Sequence, residues 1–538
     1  MKSRNLHWCV LLSVVYWVAI FLVDPRGDFP TNDDWGYAPA VESLALHGQL
    51  RFTDWQSMPL LSHVLTGSLF ATLFGYSYEV LRLSTLCIGW LGVLCLFGLA
   101  RQLGATPARA GLAALVLAAN PLYLGLCGTF MTDVPFAVAT CAACWAWLRS
   151  EERVDRWYVL AIMLAVWATM SRQLGLAMPL AWGVTTTLRY RKGGSWMKTF
   201  ALAWAPLLIV AFSLVSFERI IASTIGLPAL YAEKSAGVKE ALFAFLGLRG
   251  LGLPLGRTLT SLLSLGLFAF PLLALGLRGR RRWAAGAAGA LVAAGLVFVG
   301  FRMPFEGNII IDLGMGPRTL AGPAPQLAAP AAFWIGLSVV GGFAAGLIVE
   351  RILTLAWGWL RAFVAGRKPP ERESTLFWVA LIAFAPTAIA YGAYFDRYLL
   401  LQLPLLLAFL ASRTSDESAD SYVPLPIHVV AVTALGLLFL YSVGVTHDYF
   451  AWQRARWELV AQLEDEGVPR TDIDGGFEVN NAGARAGEPF VESRPDAAWL
   501  IVFDAATVEA PAEVRALGYA PWMPWAPDTV YAVEVGGR

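Results

Sequence analysis

The sequence predicts an all-α polytopic membrane protein that carries a small water-facing α/β domain at its C-terminal end. Of its 538 residues, 57% are hydrophobic and 15% are charged, whereas soluble domains average about 45–50% apolar and about 25% charged residues. Apolar stretches of about 17–22 residues recur along the chain, and each is long enough to cross the hydrocarbon core as a helix. After Tyr441 the pattern changes to short apolar runs separated by glycine and proline. These three observations set the fold class.

The first apolar stretch begins near Trp8 and ends near Val23, behind a short basic start. A signal peptide has a similar pattern but ends in a small-residue cleavage site. Residues 24–28 read Asp-Pro-Arg-Gly-Asp instead. We therefore expect this stretch to be a retained first helix.

About thirteen spans satisfy the apolar-run criterion, and they are centred near residues 15, 90, 117, 140, 164, 181, 208, 266, 292, 340, 384, 404 and 434. The basic loops between them fall on one face if the N-terminus lies inside, and the positive-inside rule makes that face cytoplasmic. An odd number of spans then places the C-terminal domain outside. The loops that decide this are Arg149…Arg156, Arg189…Lys192, Arg278…Arg282 and Arg361…Arg372.

Three long segments are predicted to be outer loops, at residues 24–78, 218–256 and 302–330. Loops longer than about 12–15 residues in a compact fold are usually functional or disordered, and the Trp and Tyr content of these segments favours order at the interface. The transmembrane domain is predicted to cover 1–443, and the C-terminal domain 444–538.

The C-terminal domain is predicted to begin with an amphipathic helix near Arg454 and to contain strands at 499–503 and 530–535. One side of that helix carries Trp457, Leu459, Val460 and Leu463.

Charge and cysteine content exclude two classes of site. The net charge is +1, without a dense basic stripe, so nucleic acid is not an expected partner. Cys141 and Cys144 form a CxxC on an apolar helix with no second pair or His cluster nearby. We interpret them as buried small apolar residues rather than as a metal or redox site.

Two adjacent carboxylates, Asp33 and Asp34, lie about ten residues after the first span, beside Trp35 and Tyr37. Solvated loop acids are the ordinary interpretation of such a pair. Their position in a long, aromatic-rich loop favours a functional role instead. A further acid, Asp133, begins the fourth span, where an ionisable group is either costly and functional or an N-cap.

Two arginines, Arg172 and Arg397, occupy outer turns on the same predicted face. A guanidinium grips phosphate through two parallel charged hydrogen bonds. The alternatives are snorkelling to the interface and, for Arg397, a surface pair with Asp396. We expect the acids and arginines to converge above one cavity.

This ordered set of motifs resembles the C-type (GT-C) glycosyltransferase superfamily, and within it the bacterial relatives of protein O-mannosyltransferases and aminoarabinose transferases (glycosyltransferase families 39 and 83). That group carries an Asp-Glu pair in its first outer loop, with Tyr three residues after the Glu. A Pro-and-His stretch, an Asp shortly before Pro, a basic residue after the fifth span and a late Arg-Tyr follow. The matching residues here are Asp33-Asp34…Tyr37, Pro59…His63, Asp133…Pro135, Arg172 and Arg397-Tyr398, with 307–317 also similar.

The resemblance implies a GT-C fold and an inverting transfer of a sugar from a polyprenyl-phosphate donor to a lipid, glycan or protein acceptor. It places the enzyme in a bacterial plasma membrane, with the reaction and the C-terminal domain on the periplasmic side. Asp33 is then the general base, and Asp34 and Asp133 complete the acidic set. Arg172 and Arg397 stabilise the leaving phosphate, and Tyr37 and His63 contact the substrate.

Other candidates have less support. Asp34 stands where the family commonly has Glu, so its shorter reach weakens the case for substrate contact. The sequence leaves open whether Mg²⁺ or Mn²⁺ binds among Asp33, Asp34 and Asp133, whose oxygen ligands suit such ions. Three further side chains are weaker candidates for the site, namely His47, Glu306 and Asp312.

Three alternatives compete with a monosaccharide transferase. A lipid-linked sugar transporter or flippase usually places its charged sites near the bilayer midplane, whereas these spans carry few interior charges. A noncatalytic membrane scaffold would not need the acidic loop, which is the first outer loop, residues 24–78, with its Asp33 and Asp34. An oligosaccharide ligase or polymerase stays within the same enzyme class.

Overall fold

The structure is a computed structural model. It describes residues 2–150, 153–189, 196–246, 252–277, 279–298, 308–310, 312–313, 320, 331–365, 373–389, 394–412, 424–483, 488 and 490–535.

Helices dominate the described part of the chain. Their bounds are α1 (Lys2–Val23), α2 (Asp34–His47), α3 (Leu61–Phe74), α4 (Tyr78–Gln102), α5 (Pro107–Ala118), α6 (Pro121–Cys127), α7 (Asp133–Ser150), α8 (Arg156–Ser171), α9 (Ala177–Arg189), α10 (Trp196–Thr224), α11 (Ala229–Leu246), α12 (Gly252–Ala274), α13 (Gly279–Phe298), α14 (Ala331–Val364), α15 (Glu373–Ile389), α16 (Leu399–Ala411), α17 (Leu425–Asp465) and α18 (Phe477–Asn481). The strands are β1 (Ile473–Asp474), β2 (Trp499–Val502), β3 (Pro511–Gly518) and β4 (Thr529–Val535).

All thirteen predicted span centres fall within these helices. Six helices of the described chain, α1, α4, α10, α12, α14 and α17, are long and apolar enough to cross a membrane, and a seventh span results if α5 and α6, bent by 62°, count as one. Large apolar side chains on them are exposed, such as Phe21, Phe212 and Leu440, as lipid-facing surfaces require. The multi-pass membrane fold is confirmed, and the number of spans stays a prediction.

Local sequence sets where several of these helices begin. Ser77, Thr106 and Asn120 each accept a backbone N–H of the first turn of α4, α5 and α6. Proline follows at the first position of α5 and α6, where its missing N–H costs nothing. Asp155 caps α8 by accepting from two backbone amides.

The predicted first outer loop, 24–78, contains two helices, α2 and α3. Arg82 of α4 binds the first residues of this loop and holds them against the helix bundle. The buried guanidinium of Arg82 donates to the carbonyls of Pro25, Gly27 and Phe29 at 2.6, 3.0 and 3.0 Å. The loop is therefore an ordered part of the fold, tied to α4 before it turns into α2.

The C-terminal part forms a four-stranded sheet in the order β1-β2-β4-β3, with β1 and β2 parallel and the other pairs antiparallel. Both predicted strands are confirmed as β2 and β4. The predicted amphipathic helix is the last part of α17, whose Leu459, Val460 and Leu463 are buried. The domain boundary predicted at 443/444 lies inside this continuous 41-residue helix.

Candidate active site

Asp33 precedes the first residue of α2 and lies in a nearly closed environment, with 7% of its surface exposed. Its two carboxylate oxygens have different partners. Trp55 donates from Nε1 to Oδ1 at 3.1 Å, and Arg397 donates from Nη1 to Oδ2 at 2.9 Å. The carboxylate is thus oriented by one neutral and one charged donor.

Asp34 is buried, and its oxygens accept from the protein interior. Oδ2 accepts from the N–H and the hydroxyl of Thr31 at 3.2 and 2.8 Å, and Oδ1 accepts from the N–H of Phe130 at 2.8 Å. Burial raises the pKa of Asp34 to about 7, although these hydrogen bonds and the charge of Arg82 act in the opposite direction. Asp34 joins the acidic loop to the segment that leads into α7.

Asp133 and Arg172 form a second buried pair. Arg172, at the end of α8, donates from Nη2 to Asp133 Oδ2 and from Nε to Thr132 Oγ1, at 2.8 and 2.7 Å. Arg172 is 9% exposed and Asp133 is 3% exposed. The ion pair thereby fixes the direction of a guanidinium that still has further N–H groups to offer.

Arg397 does not form the surface pair with Asp396 that the sequence left open. Asp396 is fully buried, and its carboxylate accepts from the backbone N–H groups of Ile309 and Ile310 at 3.0 and 2.8 Å. Burial raises the pKa of Asp396 to about 7. Arg397 instead points to Asp33, with its guanidinium 4.9 Å from the ring centre of Phe395.

The two arginines line one small pocket that is partly open to the surface. Its polar wall carries Asp133, Arg172, Thr387, Arg397, Tyr398 and Gln402. Apolar residues of α7, α15 and α16, together with Leu174 after α8, form the remainder. Asp33 adjoins this wall through its bond to Arg397. Four of the predicted site residues, Asp33, Asp133, Arg172 and Arg397, therefore come together.

Tyr37 and His63 are buried, each 2% exposed, and neither lines this pocket. His63 stacks on Phe130, with ring centres 3.9 Å apart, and its Nε2 lies 2.9 Å from the carbonyl oxygen of Phe130. Burial lowers the pKa of His63 to about 4, so the imidazole is uncharged at neutral pH. Tyr37 meets His63 edge-on at 6.5 Å, and burial raises its pKa. In this structure both side chains support the acidic loop.

Lys234 of α11 is a further candidate for the site, which sequence reasoning missed. It interacts electrostatically with Asp33, Arg172 and Arg397. Although its side chain is exposed, the surrounding protein and the charge of Arg397 lower the pKa of its amine. A lysine in the mixed-charge stretch 232–240 has no sequence signature, because such a stretch is typical of a solvated helix.

In the part of the chain that it describes, the structure places none of these weaker candidates at the pocket. Glu306 lies outside the described residues, and His47 is exposed at the end of α2.

Among the residues that the structure describes, no group of three or more His, Cys, Asp or Glu side chains could hold a metal ion. Asp33 and Asp133 each face an arginine, and both oxygens of Asp34 are occupied by donors. This donor set does not fit a divalent ion.

Residues 59–218, somewhat less than a third of the chain, match the family model described as dolichyl-phosphate-mannose-protein mannosyltransferase. The predicted resemblance is confirmed. This match indicates a membrane-embedded glycosyltransferase. None of the curated proteins matches the chain in sequence.

The solved structures to which the chain is similar include those of three different proteins. The Saccharomyces cerevisiae protein O-mannosyltransferase Pmt1-Pmt2 complex bound to the sugar donor is 17% identical, over 43% of this chain and 35% of that chain, with a TM-score of 0.35. ArnT from Cupriavidus metallidurans bound to undecaprenyl phosphate is 17% identical, over 86% and 81%, with a TM-score of 0.41. The Archaeoglobus fulgidus oligosaccharyltransferase in its apo form is 14% identical, over 91% and 60%, with a TM-score of 0.44. The match thus spans about a third of the yeast chain and under two thirds of the archaeal one.

Proposed function

We propose that this protein transfers a sugar from a polyprenyl-phosphate donor to an acceptor at the outer face of a bacterial plasma membrane, with inversion at the anomeric carbon. The observation that carries the proposal is the convergence of a carboxylate, Asp33, and two guanidiniums, Arg172 and Arg397, at one end of the helix bundle. A carboxylate beside a positively lined pocket suits a reaction in which an acceptor loses a proton while a phosphate leaves.

In the proposed reaction, an acceptor hydroxyl attacks the anomeric carbon. A bond forms between the acceptor oxygen and that carbon, and the bond from the carbon to the phosphate oxygen breaks. The electron pair leaves with the polyprenyl phosphate, and the acceptor proton goes to the carboxylate of Asp33. Attack from the side opposite the phosphate inverts the configuration.

The positive groups act on the leaving phosphate. Arg172 is held in place by Asp133, so its remaining N–H groups are pre-oriented toward the pocket. Fixed charges of this kind stabilise developing negative charge without reorganising during the reaction. Lys234 adds a third cation from α11.

Arg397 links the two halves of the reaction. Its guanidinium binds Asp33 in this structure, and a donor phosphate in the pocket competes for the same N–H groups. Phosphate binding would draw Arg397 toward the donor and free Asp33 to accept a proton. Donor occupancy and activation of the base are thereby coupled.

The topology is part of the proposal. Arg149 lies in the last turn of α7, at the opposite end of that helix from Asp133 and its partner Arg172, which supports a cytoplasmic N-terminus and a periplasmic site by the positive-inside rule. The acceptor is a lipid, glycan or protein of the cell envelope.

The reaction is proposed to run without a divalent ion, so EDTA should leave its rate unchanged.

Purified protein in lipid nanodiscs, supplied with a panel of polyprenyl-phosphate sugars and cell-envelope acceptors, tests the proposal. The readout is release of free polyprenyl phosphate together with sugar transfer. The parent protein should release it, Asp33→Asn should not, and Glu42→Gln, which alters an exposed acid on the same helix, should behave like the parent. Absence of release from every donor, with protein that remains folded, would instead favour a lipid-linked sugar transporter. Release only from oligosaccharide-carrying lipids would favour a ligase.

A further inference from the structure

We propose that the C-terminal domain holds the acidic loop in its working geometry through Glu478, a positioning residue that acts on Asp33 by way of Asn32. This inference rests on the proposed function only where it concerns activity. The physical coupling between Glu478 and the loop is a property of the folded protein and can be measured without substrate.

Glu478 divides its two carboxylate oxygens between two parts of the molecule. Oε1 accepts the backbone N–H of Asn32 at 3.1 Å, across 446 positions of sequence, and Oε2 accepts from Arg456 Nη1 at 2.9 Å. The side chains of Glu478 and Arg456 are 1% and 0% exposed. A buried ion pair of this kind has to be satisfied on both sides, so its position is tightly defined.

Arg456 is itself fixed within α17 and the C-terminal domain. Its Nε donates to the carbonyl of Gly475 at 2.7 Å, and its Nη1 also donates to Gln453 Oε1 at 3.0 Å. The position of Glu478 is therefore fixed by Arg456 and not by the acidic loop. The C-terminal domain determines where the backbone of Asn32 is held.

That point is the residue immediately before the proposed base. Asn32 has a φ of +52°, a left-handed conformation that asparagine tolerates better than most residues but that still needs support from its surroundings. The Asn32 Nδ2 atom lies 3.5 Å from the hydroxyl of Tyr449 on α17. The direction in which Asp33 leaves this turn thus depends on contacts with α17 and α18.

An aromatic cluster makes a second connection beside the first. Phe477 and Phe490 of the C-terminal domain pack against Trp35 and Trp55 of the acidic loop, and the rings of Trp55 and Phe490 stack with centres 4.6 Å apart. Trp55 also donates to Asp33. The C-terminal domain therefore orients Asp33 in two ways. It binds the backbone N–H of Asn32, the residue before Asp33, and it packs against Trp55, which donates a hydrogen bond to Asp33.

Glu478→Asp separates the two functions of this carboxylate. The charge stays available to Arg456, but the shorter side chain cannot bridge Arg456 and the Asn32 N–H together. Glu464→Asp is the matched control, because Glu464 pairs with Arg470 in the same domain, and Arg470 binds both of its carboxylate oxygens. Glu478→Gln is a second variant, which keeps the reach and volume of the side chain but loses its charge.

Hydrogen–deuterium exchange of the unliganded protein is the first measurement. In Glu478→Asp, amides 32–36 should exchange at least about tenfold faster while β2 and β4 keep their protection. Glu478→Gln should show a smaller increase, and Glu464→Asp none. Unchanged exchange at 32–36 in both Glu478 variants, with the sheet intact, would overturn the proposal. Should the sheet lose protection in Glu478→Asp, the Gln variant alone decides by the same criterion.

Turnover is the second measurement. For the proposed transferase, kcat of Glu478→Asp should fall at least about tenfold with the donor KM within about threefold, because a displaced base affects the chemical step more than donor binding. An exchange effect in a parent protein without transferase activity would leave the coupling intact and contradict only the proposed function. Faster exchange with unchanged kcat would overturn the assignment of Glu478 as a positioning residue.

Discussion

Arg397 binds Asp33 across 364 positions of sequence, with Nη1 and Oδ2 2.9 Å apart. Both side chains are largely buried, at 13% and 10% exposure. The neighbour of Arg397 in sequence, Asp396, is bound elsewhere by two backbone amides. The pair thus joins the first loop to the start of α16 and brings a carboxylate and a guanidinium to the same pocket edge.

Removing the carboxylate of Asp33 should abolish transfer. Asp33→Asn keeps an oxygen for the Trp55 donor but cannot accept the acceptor proton, so kcat should fall about 10²–10⁴-fold. The initial rate of polyprenyl phosphate release measures it. Glu42→Gln should stay within about twofold of the parent. Retained activity in Asp33→Asn would assign the base to another acid, with Asp133 the next to test.

Asp133 and Arg172 should behave as one energetic unit in donor binding. Arg172→Gln should raise the donor KM at least about tenfold, and Asp133→Asn should cause part of the same loss because it releases Arg172 from its fixed direction. A double-mutant cycle on donor KM should give a coupling of about 1–3 kcal/mol. The exposed Asp24–Arg26 pair is the control and should give a coupling near zero. Additive effects at Asp133 and Arg172 would contradict the positioning role of Asp133.

Lys234 should make donor binding depend on pH in the alkaline range. Its pKa lies below the ordinary 10.5, so its charge is lost as pH rises toward that value and the donor KM should increase. Lys234→Arg should keep the KM flat over the same range, because arginine stays charged. Lys234→Gln should raise the KM about tenfold at pH 7, whereas Lys198→Gln, an exposed lysine at the start of α10, should not. A KM unaffected by Lys234→Gln would remove this residue from the site.

Burial of Asp34 should make the protein more stable at mildly acidic pH. Because its pKa in the folded protein is about 7, against about 3.9 for an unfolded chain, the folded state binds the proton more tightly. The stabilisation is fully present below about pH 4 and is lost as pH rises through about 7, by up to about 1.4 kcal/mol per pH unit.

Thermal unfolding of the purified protein between pH 5 and 8 measures this contribution. The stability of the parent relative to Asp34→Asn should decrease as pH rises. Asp24→Asn is the control, because its hydrogen bond with Arg26 lowers the pKa of Asp24, so its titration lies below this window. A difference between parent and Asp34→Asn that does not change from pH 5 to 8 would show that Asp34 does not titrate there.

Sequence patterns predicted those features that depend on one segment at a time. Span length and apolar content predict the helices, and the positions of Asp33, Asp133, Arg172 and Arg397 at turns on one face predict that they meet. Which acid pairs with which arginine depends on the burial of Asp396 by residues 309–310, and no spacing reveals it. Lys234 and Glu478 were missed for the same reason, since their partners lie in remote parts of the chain.

Helix α17 determines whether the C-terminal domain can move, or be removed, independently of the membrane region. At about 1.5 Å per residue, its 41 residues form a single rod of about 60 Å, which starts in the membrane region and ends against the C-terminal sheet. A continuous helix has no flexible tether along it, so the C-terminal domain cannot move away from the membrane region and return. In the proposed transferase, acceptors would therefore reach the site by diffusion. A truncation that removes residues 466–538 will also remove Glu478, which supports Asn32. The C-terminal domain is therefore a fixed part of the same rigid structure rather than a separable module.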